Sequence, residues 1–352
     1  FKMNIITKKE INILKNNLMR DEINIDFIRK ILIKEKKVLL ICGPTCCGKS
    51  NLAVNLAMLL KTNIISIDSM QVYKGMDIGT DKLRTEKYKI NQYMIDLFEP
   101  SHCVTAVEFR DICRSIIEKE FFEKNNIPIL VGGSGLYVRA VVDDLEFTPS
   151  FEEINDKIIR ENIKNEIKLK GTEHFFKKLL EIDPQYCEKI SKNDERRITR
   201  ALEVYEITGK PFSYFQNKWS ERKSIYNCTF LGLVREKNNL NDCIVKRIEE
   251  MFSNGLLEEV KFLSNKGYNE CFSLKQAVGY KEVLNYLNGS IAYKESIQEI
   301  IKNTKKLVKK QLTWFKADPR IEWIRVDNYY NICDLINDTI KIIWKDLKYE
   351  YN

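Results

Sequence analysis

The stretch that decides the fold runs from Val38 to Ser50 and reads Val-Leu-Leu-Ile-Cys-Gly-Pro-Thr-Cys-Cys-Gly-Lys-Ser. Its first five residues, Val38 to Cys42, form a continuous apolar run of the kind that forms a buried strand in a parallel sheet. The pattern Gly-x-x-x-x-Gly-Lys-Ser follows at once, and residues 51–60 have helical spacing. Strand, glycine-bounded loop and helix in this order predict a phosphate-binding loop.

The predicted loop is suited to hold a phosphate or diphosphate group. Its glycines let the backbone curl so that N–H groups point inward, and these groups bind phosphate oxygens together with the positive end of the following helix. Lys49 adds a positive charge, and the Ser50 hydroxyl can face Mg²⁺. The loop alone does not tell which reaction the bound phosphate group takes part in.

Length and composition set the broad class. A chain of 352 residues suggests two domains, or one domain with an insertion. The net charge of +8 favours an anionic partner such as nucleic acid, although a generally lysine-rich surface has the same charge. Ten scattered cysteines without a CxxC pair argue against a disulfide framework and a zinc site, and for a reducing compartment. No apolar run is long enough to span a membrane, so we expect no association with a membrane.

The rest of the chain continues an α/β pattern with one interruption. Strands are predicted at 63–68, 93–98, 127–131, 229–234 and 321–326, and helices at 107–122, 136–142, 240–265, 292–316 and 331–347. We therefore predict a parallel sheet like that of P-loop NTPases, flanked by helices, with a helical insertion domain. The predicted segments are an N-terminal extension (1–36), the first part of the core (37–145), the insertion (146–224) and the second part of the core (225–352).

Asp68 ends the second predicted strand, where polar side chains of parallel sheets line the ligand crevice. Its carboxylate can act as a general base on a bound nucleophile. It can equally serve Mg²⁺, or cap the turn that follows. Position alone leaves these three interpretations open. We expect the site to lie between the first two strands.

Two basic features fit nucleic acid, and each has a plainer interpretation. Arg197 and Arg200 lie three residues apart on one predicted helix face, which suits phosphate contacts or a solvated salt-bridged face. A lysine band surrounds Trp314 and Phe315, and a basic stripe with aromatics fits an RNA backbone with stacked bases. The two aromatics could equally belong to the core. The band consists of Lys302, Lys305, Lys306, Lys309, Lys310 and Lys316.

Taken together, the motifs resemble those of the tRNA dimethylallyltransferase (tRNA isopentenyltransferase) family over about residues 37–326. The segment from Asp68 to Thr80, Asp-Ser-Met-Gln-Val-Tyr-Lys-Gly-Met-Asp-Ile-Gly-Thr, is the most specific part of the match. The other matching motifs, in family order, are the phosphate loop, Val131 to Tyr137, Asn193 to Tyr205, Thr208 to Pro211, Gln276 to Glu282 and Lys309 to Phe315.

The resemblance implies transfer of a dimethylallyl group from dimethylallyl diphosphate to N6 of the adenine just 3′ of the tRNA anticodon (position 37), assisted by Mg²⁺. It assigns the general base to Asp68 and makes Thr45, Lys49 and Arg247 the other catalytic residues. The residues implied to bind the donor diphosphate are Gly43, Pro44, Thr45, Cys46, Cys47, Gly48, Lys49 and Ser50, with Ser50 near the metal. Those implied to bind tRNA are Asp68, Ser69, Met70, Gln71, Ser134, Arg160, Arg196, Arg197, Arg200, Gln276, Gly279, Tyr280 and Lys281. The insertion is then the part that grips the anticodon stem-loop.

Some positions depart from the family pattern. At the position of Cys243, the family has an arginine that precedes Arg247. If that family arginine contacts diphosphate, Arg247 or a lysine must compensate here.

Rival hypotheses are prenylation of free adenine nucleotides, a P-loop kinase or NTPase, and a non-catalytic RNA-binding protein. The absence of a C-terminal Cys/His finger predicts a bacterial cytoplasmic or an organelle-matrix protein. A monomer is expected.

Overall fold

The computed structural model describes residues 4–83, 85, 88–148 and 154–349, without the side chains of 154–157, 217, 218 and 349. The first and last three residues of the predicted terminal segments lie outside the described residues. The chain divides into two compact units, one formed by residues 1–142 and 226–352 and the other by residues 143–225. The second unit begins and ends within a few residues of the predicted insertion.

The first unit is built on a six-stranded sheet in which every described pairing is parallel. The strand order is β3-β2-β4-β1-β5-β6. All five residues of β1 are buried, as expected for a central strand covered by helices on both faces. The predicted α/β class with a parallel sheet is confirmed. The strands are β1 Val38–Cys42, β2 Ile64–Ser66, β3 Gln92–Tyr93, β4 Ile129–Gly132, β5 Cys228–Val234 and β6 Glu322–Arg325.

The first two strands are not neighbours, because β4 lies between them. Cys42 pairs in register with Gly132, and Ser66 with Val131. The site is predicted from the sequence to lie between these two strands, but the sequence does not predict that β4 separates them. The loops after β1, β2 and β4 leave the same edge of the sheet, which brings three polar loops together where the chain crosses over β4.

Helices cover the sheet, and most begin at the predicted positions. The predicted helix over 240–265 is two helices, because the chain turns at Gly255, whose φ is +100°. The predicted helix over 107–122 ends in a π-helical turn, Ile117–Phe122. The helices of this unit are α1 Lys8–Arg20, α2 Ile25–Lys34, α3 Lys49–Leu60, α4 Ala106–Ile116, α5 Gly135–Val142, α10 Lys237–Ser253, α11 Leu256–Asn265, α12 Phe272–Gln276, α13 Tyr280–Leu287, α14 Tyr293–Lys316 and α15 Ile332–Tyr349.

The N-terminal extension folds as two helices that share the core of the first unit. Leu18, Ile28 and Leu32 are fully buried in the same apolar cluster as β1. The Asn55 side chain of α3 accepts a hydrogen bond from the Ile6 N–H at 2.8 Å, and the ring of Phe27 packs edge-on against Trp344 of α15. Burial of this kind stabilises the fold by roughly 25 cal/mol for each Å² of apolar surface removed from water.

The second unit is helical and has its own core. Its apolar centre includes Ile163, Leu179 and Leu202. Its helices are α6 Ile154–Lys170, α7 Thr172–Ile182, α8 Pro184–Cys187 and α9 Glu195–Thr208, followed by a 3₁₀ segment, Phe212–Ser220. Within the described residues of the whole chain, no helix combines the length and the apolar character needed to cross a bilayer.

Candidate active site

The phosphate loop follows β1 and leads into α3. Gly43 has φ of +131°, and a Cβ there would lie 2.3 Å from the Leu233 carbonyl oxygen, so only glycine fits beside β5. The loop closes at Gly48, and Lys49 is the first residue of α3. The Lys49 ammonium folds back and donates a hydrogen bond to the Pro44 carbonyl at 2.6 Å. The local geometry is therefore that of an anion site at a helix N-terminus.

The charge of Lys49 is poorly solvated. Burial lowers its pKa, while the nearby Asp68 carboxylate acts in the opposite direction. An anion bound in the loop would offset the lost solvation and stabilise the ammonium. Burial also raises the pKa of the Cys47 thiol to about 11, which keeps it protonated at neutral pH.

Asp68 follows β2 and faces the same cavity as the phosphate loop. One carboxylate oxygen, Oδ1, accepts a hydrogen bond from the Met70 N–H at 2.8 Å and so caps the turn. Among the described residues, no hydrogen-bond donor reaches its other oxygen. The capping interpretation is therefore correct for one oxygen, and it leaves the second available for a ligand or a proton.

The residues that the sequence analysis predicted to be catalytic line a single cavity. Its volume is about 60 Å³. Three loops, three strands and the helices α3, α10 and α14 contribute to it. It is lined by Thr45, Lys49, Ser50, Ile64, Ser66, Asp68, Gln71, Thr80, Asp81, Leu83, Gln92, Val131, Gly132, Gly133, Arg247 and Gln311. The predicted group of Thr45, Lys49, Asp68 and Arg247 thus surrounds one space.

Arg247 of α10 ties the two sides of the cavity together. Its Nη1 donates to the Thr45 hydroxyl at 2.8 Å and lies 3.1 Å from a carboxylate oxygen of Asp81. The side chain is 26% exposed, so one face remains open to the cavity. Cys243, one helical turn earlier, does not line the cavity among the described residues. Arg247 is the cation of this helix that can reach a bound anion.

Amide side chains form the wall opposite the phosphate loop. The Gln71 oxygen accepts from the Ser66 hydroxyl at 2.7 Å, and its nitrogen donates to the Thr80 carbonyl at 2.9 Å. The Gln92 nitrogen lies 3.5 Å from the same Gln71 oxygen, and the Gln92 oxygen is buried without a partner. This wall can discriminate a flat polar ligand by its donors and acceptors.

A carboxylate outside the cavity holds the segment that leads to Thr80. Glu259 of α11 accepts hydrogen bonds from the N–H groups of Asp77 at 3.0 Å, Ile78 at 2.8 Å and Gly79 at 3.3 Å. The Tyr280 hydroxyl also donates to Glu259. Tyr280 itself is fully buried, and its ring packs so closely on Gly79 that a Cβ there would lie 2.3 Å from it.

We expect Glu259→Gln to lower the free energy of unfolding by about 2 kcal/mol, since the amide nitrogen cannot accept the N–H groups that one carboxylate oxygen accepts. Urea unfolding followed by circular dichroism measures this. Glu258→Gln is the matched control, because Glu258 is exposed on the same helix. Equal stability of the two variants would show that the contacts of Glu259 contribute little.

The other predicted contact residues of the first unit lie outside the cavity lining. Ser69 and Met70 continue the turn after Asp68, and Ser134 follows Gly133; all three are partly exposed. Gln276 and Lys281 are exposed at α12 and α13. Gly279 and Tyr280 are buried, and the hydroxyl of Tyr280 is engaged by Glu259. In this conformation the Tyr280 side chain offers no surface to RNA.

Two of the four predicted arginines of the second unit, Arg160 and Arg200, pair with one buried acid. Glu203, 2% exposed, pairs with Arg160 at 3.1 Å and with Arg200 at 2.8 Å. Arg196 and Arg197 are exposed at the start of α9. Arg200 pairs with Glu203, and Arg197, which is 58% exposed, pairs with Asp194, so the face is salt-bridged. Phosphate contact by these arginines stays a prediction.

The lysine band lies on the solvent side of α14. Its six lysines are exposed, whereas Thr304, Val308 and Phe315 point into the core. Phe315 is therefore a core residue. Trp314 is 39% exposed, and its Cβ packs at 3.0 Å from the position of a Cβ on Gly135. The band remains a candidate surface for a polyanion.

The side-chain oxygens at this site could hold a divalent cation only together with phosphate oxygens. No group of three or more His, Cys, Asp or Glu side chains among the described residues could hold a metal by itself. The Ser50 hydroxyl and the Asp68 carboxylate line the cavity. Mg²⁺ prefers oxygen ligands and is commonly held by one or two protein oxygens together with phosphates and water. The residues present fit such an ion.

Several lining residues had no role in the sequence analysis. Thr80 and Asp81 reach the cavity from one loop, Gln92 from β3 and Gln311 from α14. Thr80 and Gln311 lie inside motifs that marked the family resemblance, which was the available signal. Asp81 and Gln92 carried no signal in the sequence.

Comparison with known proteins places the chain in a family. A sequence model described as IPP transferase matches residues 71–318. The chain belongs to the IPP transferase family. The chain is 41% identical over 316 residues, 89% of its length, to a protein of Caldanaerobacter subterraneus named tRNA dimethylallyltransferase, 99% of which is covered. It is 43% identical over 290 residues to one of Carboxydothermus hydrogenoformans, covering 82% of this chain and 91% of that protein.

Solved structures of the same family are also similar to this chain. It superposes with a TM-score of 0.63 and 34% identity on the full-length tRNA isopentenylpyrophosphate transferase of Bacillus halodurans, covering 90% of this chain and 99% of that one. It also matches a eukaryotic dimethylallyltransferase, described as acting on tRNA, with a TM-score of 0.69 and 26% identity. That match covers 82% of this chain and 73% of the other.

Proposed function

We propose that this protein transfers a dimethylallyl group from dimethylallyl diphosphate to N6 of the adenine 3′ of the anticodon in tRNA, releasing diphosphate. The observation that carries the proposal is one cavity that holds both the phosphate loop and the Asp68 carboxylate. The family and the names of its relatives support the reaction class.

The diphosphate is the leaving group and belongs in the phosphate loop. Lys49, the loop N–H groups and Arg247 stabilise the negative charge that grows on it as the carbon–oxygen bond breaks. Mg²⁺, held by Ser50 with phosphate oxygens, would add Lewis-acid stabilisation of the same charge. The apolar dimethylallyl group then extends from the loop into the cavity.

The adenine supplies the nucleophile from the opposite wall. The N6 nitrogen forms a bond to the first carbon of the dimethylallyl group while the bond from that carbon to diphosphate oxygen breaks. The free oxygen of Asp68 accepts the proton that N6 loses, so that charge and protons balance. A base paired in a stack could not reach the cavity, so the target nucleotide must be everted.

Recognition of tRNA is assigned to basic and polar surfaces of both units, each considered by itself. The exposed residues Arg160, Arg196 and Arg197 suit phosphate contacts from the second unit, and Gln276 and Lys281 suit contacts from the first.

The ten cysteines are free thiols, which fits a reducing compartment such as a bacterial cytoplasm. We take the working form to be a monomer.

The proposal is tested by mass spectrometry of nucleosides from RNA incubated with the protein, Mg²⁺ and dimethylallyl diphosphate. We expect a gain of one dimethylallyl group on adenosine in an anticodon stem-loop, and none on AMP, ADP or ATP. Prenylated free nucleotides with unmodified RNA would reassign the acceptor. ATP hydrolysis or phosphoryl transfer without prenylated RNA would instead favour a P-loop kinase or NTPase.

A further inference from the structure

One side chain of α14 reaches both glycine-rich turns that border the cavity. The oxygen Oε1 of Gln311 accepts a hydrogen bond at 2.9 Å from the Thr45 N–H, 266 positions earlier in the chain. Its nitrogen Nε2 occupies the space beside Gly133, where a Cβ would lie only 2.4 Å from it. Gln311 is thus wedged between the phosphate loop and the turn after β4.

The contact satisfies the N–H end of the Pro44–Thr45 peptide group, whose carbonyl end accepts a hydrogen bond from Lys49 at 2.6 Å. Thr45 is held at its hydroxyl by Arg247 and at its N–H by Gln311. Gly133 in turn lies close to the loop, since a Cβ on it would be 3.3 Å from the Gly43 carbonyl oxygen. Only a side chain with an acceptor and a slim donor end, at this length, satisfies the N–H and fills the gap beside Gly133.

We propose that Gln311 is a positioning residue that takes up the Thr45 N–H and holds the phosphate loop against the Gly133 turn, so that the remaining loop N–H groups point at the donor diphosphate before it binds. The inference rests on the proposed function for the identity of the donor. Its physical basis is preorganisation, because donors that are already oriented lose little conformational freedom on binding. Gln311 does not touch the reacting atoms.

The first test is the affinity for inorganic diphosphate with Mg²⁺, measured by titration calorimetry. We expect Gln311→Ala to weaken binding about tenfold, the size of one or two lost neutral hydrogen bonds. Gln298→Ala is the matched control, since Gln298 is exposed on the same helix, and should bind as the wild type does. Gln311→Asn, which keeps the amide but is one methylene too short to reach Thr45, should behave like Gln311→Ala.

Steady-state kinetics separate positioning from a general loss of structure. In Gln311→Ala the KM for the prenyl donor should rise about tenfold, while kcat at saturating donor and the KM for RNA stay within about twofold. A fall in kcat with an unchanged donor KM would overturn the proposal. The calorimetric test needs no prenyl transfer, so that a wild-type protein inactive on RNA would refute the proposed function and leave the role of Gln311 measurable.

A second variant approaches the same contact from the other side. Gly133→Ala places a methyl group against Nε2 of Gln311 and should displace the side chain, with a similar loss of diphosphate affinity. Because both changes act through one contact, the double variant should bind diphosphate little more weakly than either single variant. Additive effects, or wild-type affinity in Gln311→Ala, would show that Gln311 does not position the loop.

Discussion

Asp68→Asn is expected to lower kcat for prenyl transfer by roughly 10²-fold or more. Asparagine has the size of aspartate, and its oxygen can still accept the Met70 N–H that Asp68 accepts at 2.8 Å. The turn after β2 should therefore keep its shape. What the variant loses is an anionic oxygen able to take the proton from the adenine N6. Single-turnover kinetics with a stem-loop RNA measures the chemical step directly.

Binding measurements identify the cause of that loss. The affinity for the RNA should stay within about threefold of wild type, since Asp68 is one residue in a large interface. Asp111→Asn is the matched control, because Asp111 is 58% exposed and pairs with Arg110 away from the cavity. If Asp68→Asn turns over at the wild-type rate, the proton goes elsewhere and Asp68 is only a cap.

Lys49→Ala is expected to reduce kcat/KM for the prenyl donor by roughly 10²-fold, the size seen when one donor to a developing oxyanion is removed. The Lys49 ammonium is partly buried in the loop, and this burial lowers its pKa, so its charge is worth more to a bound anion than in water. Competition by inorganic diphosphate should weaken in parallel. Initial rates over a range of donor concentrations provide the measurement.

The effect of Lys49→Ala should be confined to the kinetics of the prenyl donor. RNA affinity should be unchanged, and the melting temperature should fall by only a few degrees, because one hydrogen bond, to the Pro44 carbonyl, is lost. Lys119→Ala, an exposed lysine far along the chain from the loop, controls for net charge. A variant that keeps its donor kinetics would place the diphosphate outside the predicted loop.

The motifs predicted which kinds of groups meet at the site. They did not predict all of the distances between those groups or all of the neighbouring elements. Thr45, Lys49, Asp68 and Arg247, which were predicted to be catalytic, line one cavity. The position of β4 between β1 and β2 was missed, because strand order depends on crossovers that apolar runs do not encode. The break at Gly255 was missed because the helical spacing of apolar residues continues across it.

By itself the sequence determined the phosphate loop, the acid after β2 and the parallel α/β class, because these follow from local patterns of a few residues. Only the tertiary structure decided that Gln311 reaches Thr45 from 266 positions away and that Glu259 holds the Asp77–Gly79 backbone. Such contacts depend on how distant helices pack onto the sheet. No local propensity specifies that packing, and the burial of the whole core fixes it.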